Sequence, residues 1–207
     1  EPVVVEGMDD PTQLMSLAQG ITKGDANAPI TIVEFADYSC PGCGAFALQV
    51  KPQLDLQFVQ TGKAKFVYYD FPLVSIHPHS FLAARAARCA NSMGKFWEYQ
   101  DQLFRNQPSW SVKPAVEGDL LGFAAAVGLD QGDFEACLKS DQFADVVSAN
   151  LRLAEELGIN GTPTIMMSRG NGMARRLTNF DFASIESVAN DMLAEIEAEK
   201  TAGPTGN

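Results

Sequence analysis

The sequence has little histidine, little cysteine, no long apolar run and a shortage of positive charge. Two histidines and four cysteines among 207 residues leave few soft ligands for a metal. The longest apolar run, Leu120 to Leu129, is ten residues with two glycines in it. That is about half of the ~20 residues a helix needs to cross a bilayer, so the chain is not itself a membrane span. Lys and Arg total 15 against 26 Asp and Glu, a net charge of −11. Nucleic acid and anionic lipid both reward clustered Lys and Arg, so neither is expected as a partner. Repeats and low-complexity segments are absent. The first residue is Glu1 rather than Met, which reads as a mature or trimmed form whose targeting segment is gone.

What is present is ordinary for a folded protein. The chain is 46% hydrophobic and 20% charged and long enough for one large domain or two small ones. Residues 1–27 read as an acidic arm with a short helix from Pro11 to Ala18, followed by the loop Gly24 to Pro29. Ile30 to Phe35 is β-favouring. Phe46, Val50, Leu54 and Phe58 then recur every four residues, so a helix is expected from Cys40 to Gln60, bent or frayed at Pro52. Ala64 to Asp70 is a second strand, and residues 28–70 form a βαβ unit with parallel strands.

Residues 71–157 carry helical spacing only: Leu82, Ala86, Cys89 and Met93; Phe96, Tyr99, Leu103 and Phe104; Leu120 to Val127; Phe134 to Leu138; and Phe143 to Leu157. The last of these is expected to start at an N-cap Ser140 or Asp141 and stop at Gly158. Residues 158–200 return to strand at Pro163 to Ser168, turn at Arg169 to Gly172, pair with Gly172 to Leu177 and end in an amphipathic helix marked by Ile185, Val188, Met192 and Ile196. Residues 201–207 read as a flexible tail.

Chemistry concentrates at Cys40-Pro41-Gly42-Cys43, where strand hands over to helix. Free N–H groups and the helix dipole favour an anion there, and the thiolate is the reactive form of cysteine. Three readings are open. Zinc needs two more ligands, and there is no second Cys-x-x-Cys; His77 and His79 flank Pro78 on the lip of the helical block. A structural bridge closes too small a loop to remove much chain entropy. Redox chemistry suits the spacing: Cys40 attacks or is attacked, and Cys43, one turn deeper, resolves the mixed disulfide. Pro41 suits the first turn, and Gly42 leaves the surface beside Cys40 uncrowded. Neither a metal nor a cofactor is expected.

The chain resembles the DsbA-like thiol:disulfide oxidoreductases of the thioredoxin superfamily, over about Gly24 to Ala198. The resemblance rests on Glu34 with Cys40-Pro-Gly-Cys43, on Phe71-Pro72 leading to His77-Pro78, on Phe96-Trp97 with Asp101 and Leu103-Phe104, and on Gly161-Thr162-Pro163-Thr164. It implies an α/β thioredoxin fold, a central mixed sheet flanked by helices, with an inserted all-helical subdomain. It implies that Glu34, read from alternation alone as a buried or an edge-facing acid, exchanges a proton with Cys43. It also implies that Thr162-Pro163 is a cis bond whose main chain meets an extended substrate. Cys89 and Cys137 are either two buried thiols or a structural disulfide; the resemblance implies the bridge. Trp97 reads as core of the insert or as a substrate contact, and His77 and His79 as loop and helix-start residues.

The expected activity is dithiol oxidation of unfolded or reduced client proteins in a periplasmic or other extracytoplasmic space, with a membrane redox partner resetting the site. Alternatives are a disulfide isomerase or reductase and a non-catalytic peptide-binding module. Strongly oxidising relatives often carry His where this chain has Gly42, so a milder oxidant is expected.

Overall fold

The structure, a computed structural model, describes residues 1–170 and 172–202. Asn171 of the expected turn and residues 203–207 of the expected tail lie outside them.

Five strands form one mixed sheet in the order β1-β3-β2-β4-β5: β1 (Ile21–Lys23), β2 (Ile30–Ala36), β3 (Ala64–Asp70), β4 (Thr164–Arg169) and β5 (Arg175–Arg176). β2 and β3 run parallel, from Ile30 opposite Ala64 to Ala36 opposite Asp70, and β4 lies antiparallel on the other side of β2. Strand alternation then sorts β2. Ile30, Ile32 and Ala36 join a large core with Phe46, Leu54, Phe66 and Tyr68, while Phe35 joins a smaller one with Leu14, Phe71, Ala149 and Leu153. Glu34 shares the face of Ile32 and Ala36, the side that carries the helix after β2.

That helix, α2, spans residues 41–59. It alternates α segments, Pro41–Ala45 and Lys51–Leu54, with wide π segments, Phe46–Val50 and Asp55–Val59. The helical segments run through Pro52 without the expected fraying. The π segment bonds Lys51 N–H back to Phe46 O, widening the turn ahead of Pro52. The proline then sits at the start of an α segment, where its missing N–H is tolerated.

The helical stretch continues with α3 (Ser80–Ser92), α4 (Phe96–Arg105), α5 (Gln107–Trp110), α6 (Glu117–Ala126), α7 (Gln131–Lys139) and α8 (Ala144–Glu156); α1 (Pro11–Leu17) precedes the sheet and α9 (Phe182–Ala202) closes the chain. α8 contributes Ala149 and Leu153 to the second face of the sheet, beside α1 and Phe35. It is therefore an outer layer of the α/β/α sandwich as well as the end of the helical stretch.

Several expectations are corrected. Ile21–Lys23 of the arm is an edge strand, antiparallel to β3. Neither Ser140 nor Asp141 caps α8, whose N-cap is Phe143: Ser140 Oγ donates to Cys137 O at the end of α7, and Asp141 sits at φ +57°, held by an ion pair to Arg85. Gly158 does end α8, at φ +63°. β5 has two residues rather than six: Arg175 and Arg176 pair with β4, and Leu177 adds a single bond from its N–H to Ile165 O. Thr201 and Ala202 belong to α9.

A buried ionic knot ties the helical stretch to the sheet. Asp70, at the end of β3, accepts from Arg88 Nε at 2.7 Å and from Asn150 Nδ2 at 3.2 Å, and Arg88 also donates to Gln19 O. Cys89 and Cys137 form a disulfide joining α3 to α7 across 48 residues. On chain-entropy grounds a loop of that length stabilises the fold by roughly 4 kcal/mol. Replacing both cysteines by alanine is therefore expected to lower the unfolding free energy by about that amount in chemical denaturation, with the Cys40–Cys43 chemistry unchanged. A loss below about 1 kcal/mol contradicts this.

Candidate active site

β2 ends at Ala36, and the chain turns through Asp37 to Ser39 before α2 begins. The turn is closed by Cys40 N–H donating to Asp37 O at 3.1 Å. Cys40 is the N-cap of α2, in extended conformation, with Pro41 at the first helical position. Pro41 has no N–H to leave unpaired, so the free N–H groups nearest the Cys40 sulfur are those of Gly42 and Cys43. Cys40 is half-buried and Cys43 buried, both as free thiols.

The Thr162–Pro163 bond is cis, and Cys40 Sγ donates to the Thr162 carbonyl at 3.3 Å. Gly42 faces the same loop: a Cβ there would lie 3.1 Å from Pro163 Cδ and 3.7 Å from Cys40 Sγ. A larger residue at 42 crowds the proline, which gives glycine a reason beyond the absence of charge.

The electrostatics separate the two sulfurs. Cys40 is lowered from the ordinary 9.0 to about 5. The Cys43 thiol donating to it is the largest cause; burial opposes; the Thr162 side chain and the N–H groups of Cys43 and Gly42 add donors. The Thr162 hydroxyl is buried without a partner among the described residues. Once the Cys40 proton leaves, the Thr162 carbonyl has lost its donor and the hydroxyl is the group that can turn to the thiolate. Cys43 is pushed well above its ordinary value, first by burial, then by its bond to Cys40 and the neighbouring Glu34 charge. The outer sulfur is thus the anion and the inner one the protonated thiol.

Glu34 is buried at the floor of the site, and its Oε1 has no hydrogen-bond partner. Burial raises it from 4.5 to about 8; Lys51 pulls it back and Cys40 pushes it further. A carboxyl in that range is protonated at neutral pH yet gives up its proton with little cost, as an acid–base partner for Cys43 requires.

Three participants were not singled out from the sequence. Lys51 is buried, bonded to Asp55 at 2.9 Å, with its ammonium 4.7 Å from the Trp97 ring centre and 5.2 Å from that of Phe66. Burial lowers its pKa, and Asp55 offsets part of that. The spacing Cys43, Ala47, Lys51 did mark one helical stripe, a signal that could have found it. Gln107, in the short α5, donates to the carbonyls of Tyr38 and Cys40. Asp37 is buried and bonds both to the turn and to the loop after β3. Trp97 is half-buried at the seam between α4 and α2 rather than enclosed in the helical stretch, and together with Lys23, Lys51 and Asp55 it lines a cavity of about 460 Å³. His79 is the N-cap of α3, while His77 bonds to Asp37. Among the described residues no cluster of three or more His, Cys, Asp or Glu is placed to hold a metal.

A dithiol split into a half-buried anion and a buried acid, opposite a cis-proline on a mixed sheet, defines a thioredoxin-type redox centre. The family model described as Thioredoxin matches residues 16–178. The solved structure of BdbD from Bacillus subtilis, in its oxidised state, superposes with a TM-score of 0.74 at 26% identity, over 84% of this chain and 92% of that one. Disulfide bond formation protein D of Bacillus subtilis is 29% identical over 154 residues, 70% of this chain and 66% of that protein. The Na(+)/H(+) antiporter NhaA 3 of Salinispora tropica is 33% identical over 146 residues, 70% of this chain. This chain spans about a fifth of that antiporter's length. The chain belongs to the thioredoxin family.

In reduced protein, the rate of Cys40 alkylation by a neutral reagent is expected to rise with pH through a midpoint near 5. Thr162→Val removes a donor to a charged group and is expected to raise that midpoint by roughly one unit. A midpoint near the ordinary 9.0, or one unmoved by the substitution, contradicts the assignment of donors.

Proposed function

We propose that this chain is a dithiol oxidase of oxidative folding, passing its Cys40–Cys43 disulfide to reduced or unfolded client proteins. The observation that carries the reading is the set of donors gathered around Cys40, from Cys43, Gly42 and Thr162, which lowers its pKa to about 5. Whatever stabilises the Cys40 thiolate stabilises the reduced site and makes its disulfide eager to accept electrons. Thioredoxin's reactive cysteine lies near ~7 and that of DsbA near ~3.5, so this site falls between them, on the oxidising side. The donors around Cys40 act where Gly42 supplies no side chain, and a milder oxidant remains the expectation.

In the forward direction a client thiolate attacks Cys40 Sγ, the Cys40–Cys43 bond breaks, and Cys43 leaves as a thiolate that takes a proton from Glu34. A second client thiolate then attacks the client sulfur of the mixed disulfide and expels Cys40 as a stabilised thiolate. Two electrons pass from the client to the site. The main chain at Thr162–Pro163 aligns the client as an added extended segment, and the helical stretch 71–157 forms one wall above it. The reduced site is reset by a membrane partner that accepts the electrons. An extracytoplasmic location is supported by the Cys89–Cys137 disulfide, since such bridges persist where the surroundings are oxidising.

The pH dependence follows with a definite sign. Only the reduced protein carries the titrating Cys40. Its folded pKa lies below the unfolded value, so its stabilising effect is fully present above 9.0 and disappears as pH falls through about 5. At pH 7 the reduced protein is expected to unfold at a higher temperature than the oxidised one, with the gap closing toward pH 5. In the activity assay, wild type is expected to catalyse oxidative refolding of a reduced client, Cys40→Ser to abolish it, and Cys43→Ser to accumulate a mixed disulfide. Full activity in Cys40→Ser, or an oxidised form more heat-stable than the reduced form at pH 7, would overturn the proposal.

A further inference from the structure

Asp37 lies three residues before Cys40, its side chain wholly buried, and the chemistry above leaves it without a task. Its carboxylate accepts four hydrogen bonds. Oδ1 takes Ser39 N–H at 2.7 Å and the Ser80 hydroxyl; Oδ2 takes Leu73 N–H at 2.7 Å and lies 2.8 Å from His77 Nδ1. One donor is in the redox turn, two are in the loop between β3 and α3, and Ser80 begins α3. The backbone of Asp37 works on the sulfurs as well: its N–H points at Cys43 Sγ at 3.5 Å, and its carbonyl takes Cys40 N–H. A carboxylate fits this place because it offers only acceptors, and four donors converge on it.

We propose that Asp37 is a positioning residue for the Cys40–Cys43 couple, its carboxylate clamping the redox turn to the 71–80 loop so that the sulfurs meet their donors in register. His77 and Ser80, read from sequence as a loop residue and the start of a helix, are the far half of the clamp. The inference rests on the redox role of the two cysteines. It adds that the poise of the couple is set partly by the segment that joins the sheet to the helical stretch.

The test is Asp37→Asn in the full chain. The amide keeps the volume but presents an NH₂ to donors that need an acceptor. With the turn loosened, the N–H groups serving Cys40 and Cys43 fall out of register and the reduced form loses stabilisation. The equilibrium constant with glutathione is expected to shift about fivefold toward the disulfide, the worth of one hydrogen bond, and the Cys40 alkylation midpoint to rise. Ser80→Ala removes one donor and leaves the carboxylate, so it is expected to shift both readouts in the same direction by less. That variant carries the test if Asp37→Asn does not fold. Variants that melt earlier yet keep the wild-type equilibrium constant and midpoint would make Asp37 merely structural and overturn the proposal. A wild-type protein that does not exchange with glutathione at all would instead overturn the redox reading on which it stands.

Discussion

A sulfur anion half out of water has to be held by donors, and the placing of those donors organises this molecule. At Cys40 they come from two directions: the Cys43 thiol and the N–H groups of Gly42 and Cys43 from α2, and Thr162 from the loop before β4. Each source needs its own support. The α2 donors require the helix to start at Pro41, directly after β2. The Thr162 donor requires β4 to lie beside β2, in the register that sets Phe35 opposite Thr164. Inner and outer sulfur then differ because one is surrounded by protein and the other by donors and solvent.

The same low-dielectric floor accounts for Glu34 and Lys51. A lone carboxylate there is costly, so it holds its proton to about 8. Lys51 is the countervailing charge, and its own burial is relieved by Asp55 and by two aromatic faces. The pair keeps Glu34 between permanent ionisation and permanent neutrality, as the proposed proton exchange with Cys43 requires.

What was legible in the sequence was what is local. A β-favouring run, a change to four-residue spacing and a Cys-x-x-Cys at the junction are all near neighbours, and they place the βαβ core and the reactive pair. Alternation left Glu34 open between a buried and an edge-facing acid; it is buried because β2 lies between β3 and β4 rather than at an edge. Distant partnerships were not legible. Asp37 meets His77 and Ser80 across 40 and 43 residues, and nothing near Asp37 announces them. Ile21–Lys23 is too short to show a period and becomes a strand only because β3 offers an edge. At α8 the competing claims on Ser140 and Asp141, from the end of α7 and from Arg85, outweighed the local preference for a polar cap. At Pro52 the local rule was correct about the missing N–H, but the preceding π turn met the difficulty without breaking the helix.

The oxidising character proposed for the site depends on the donors around Cys40, because Gly42 brings no charged or donor side chain. Its most direct test is the reduction potential of the Cys40–Cys43 couple, measured by equilibration with glutathione at pH 7. A value well above the ~−270 mV of thioredoxin and below the ~−120 mV of DsbA is the result expected of a thiolate stabilised to this degree. A value at or below that of thioredoxin would contradict it, because a site that holds its disulfide so firmly cannot serve as an oxidant of client proteins.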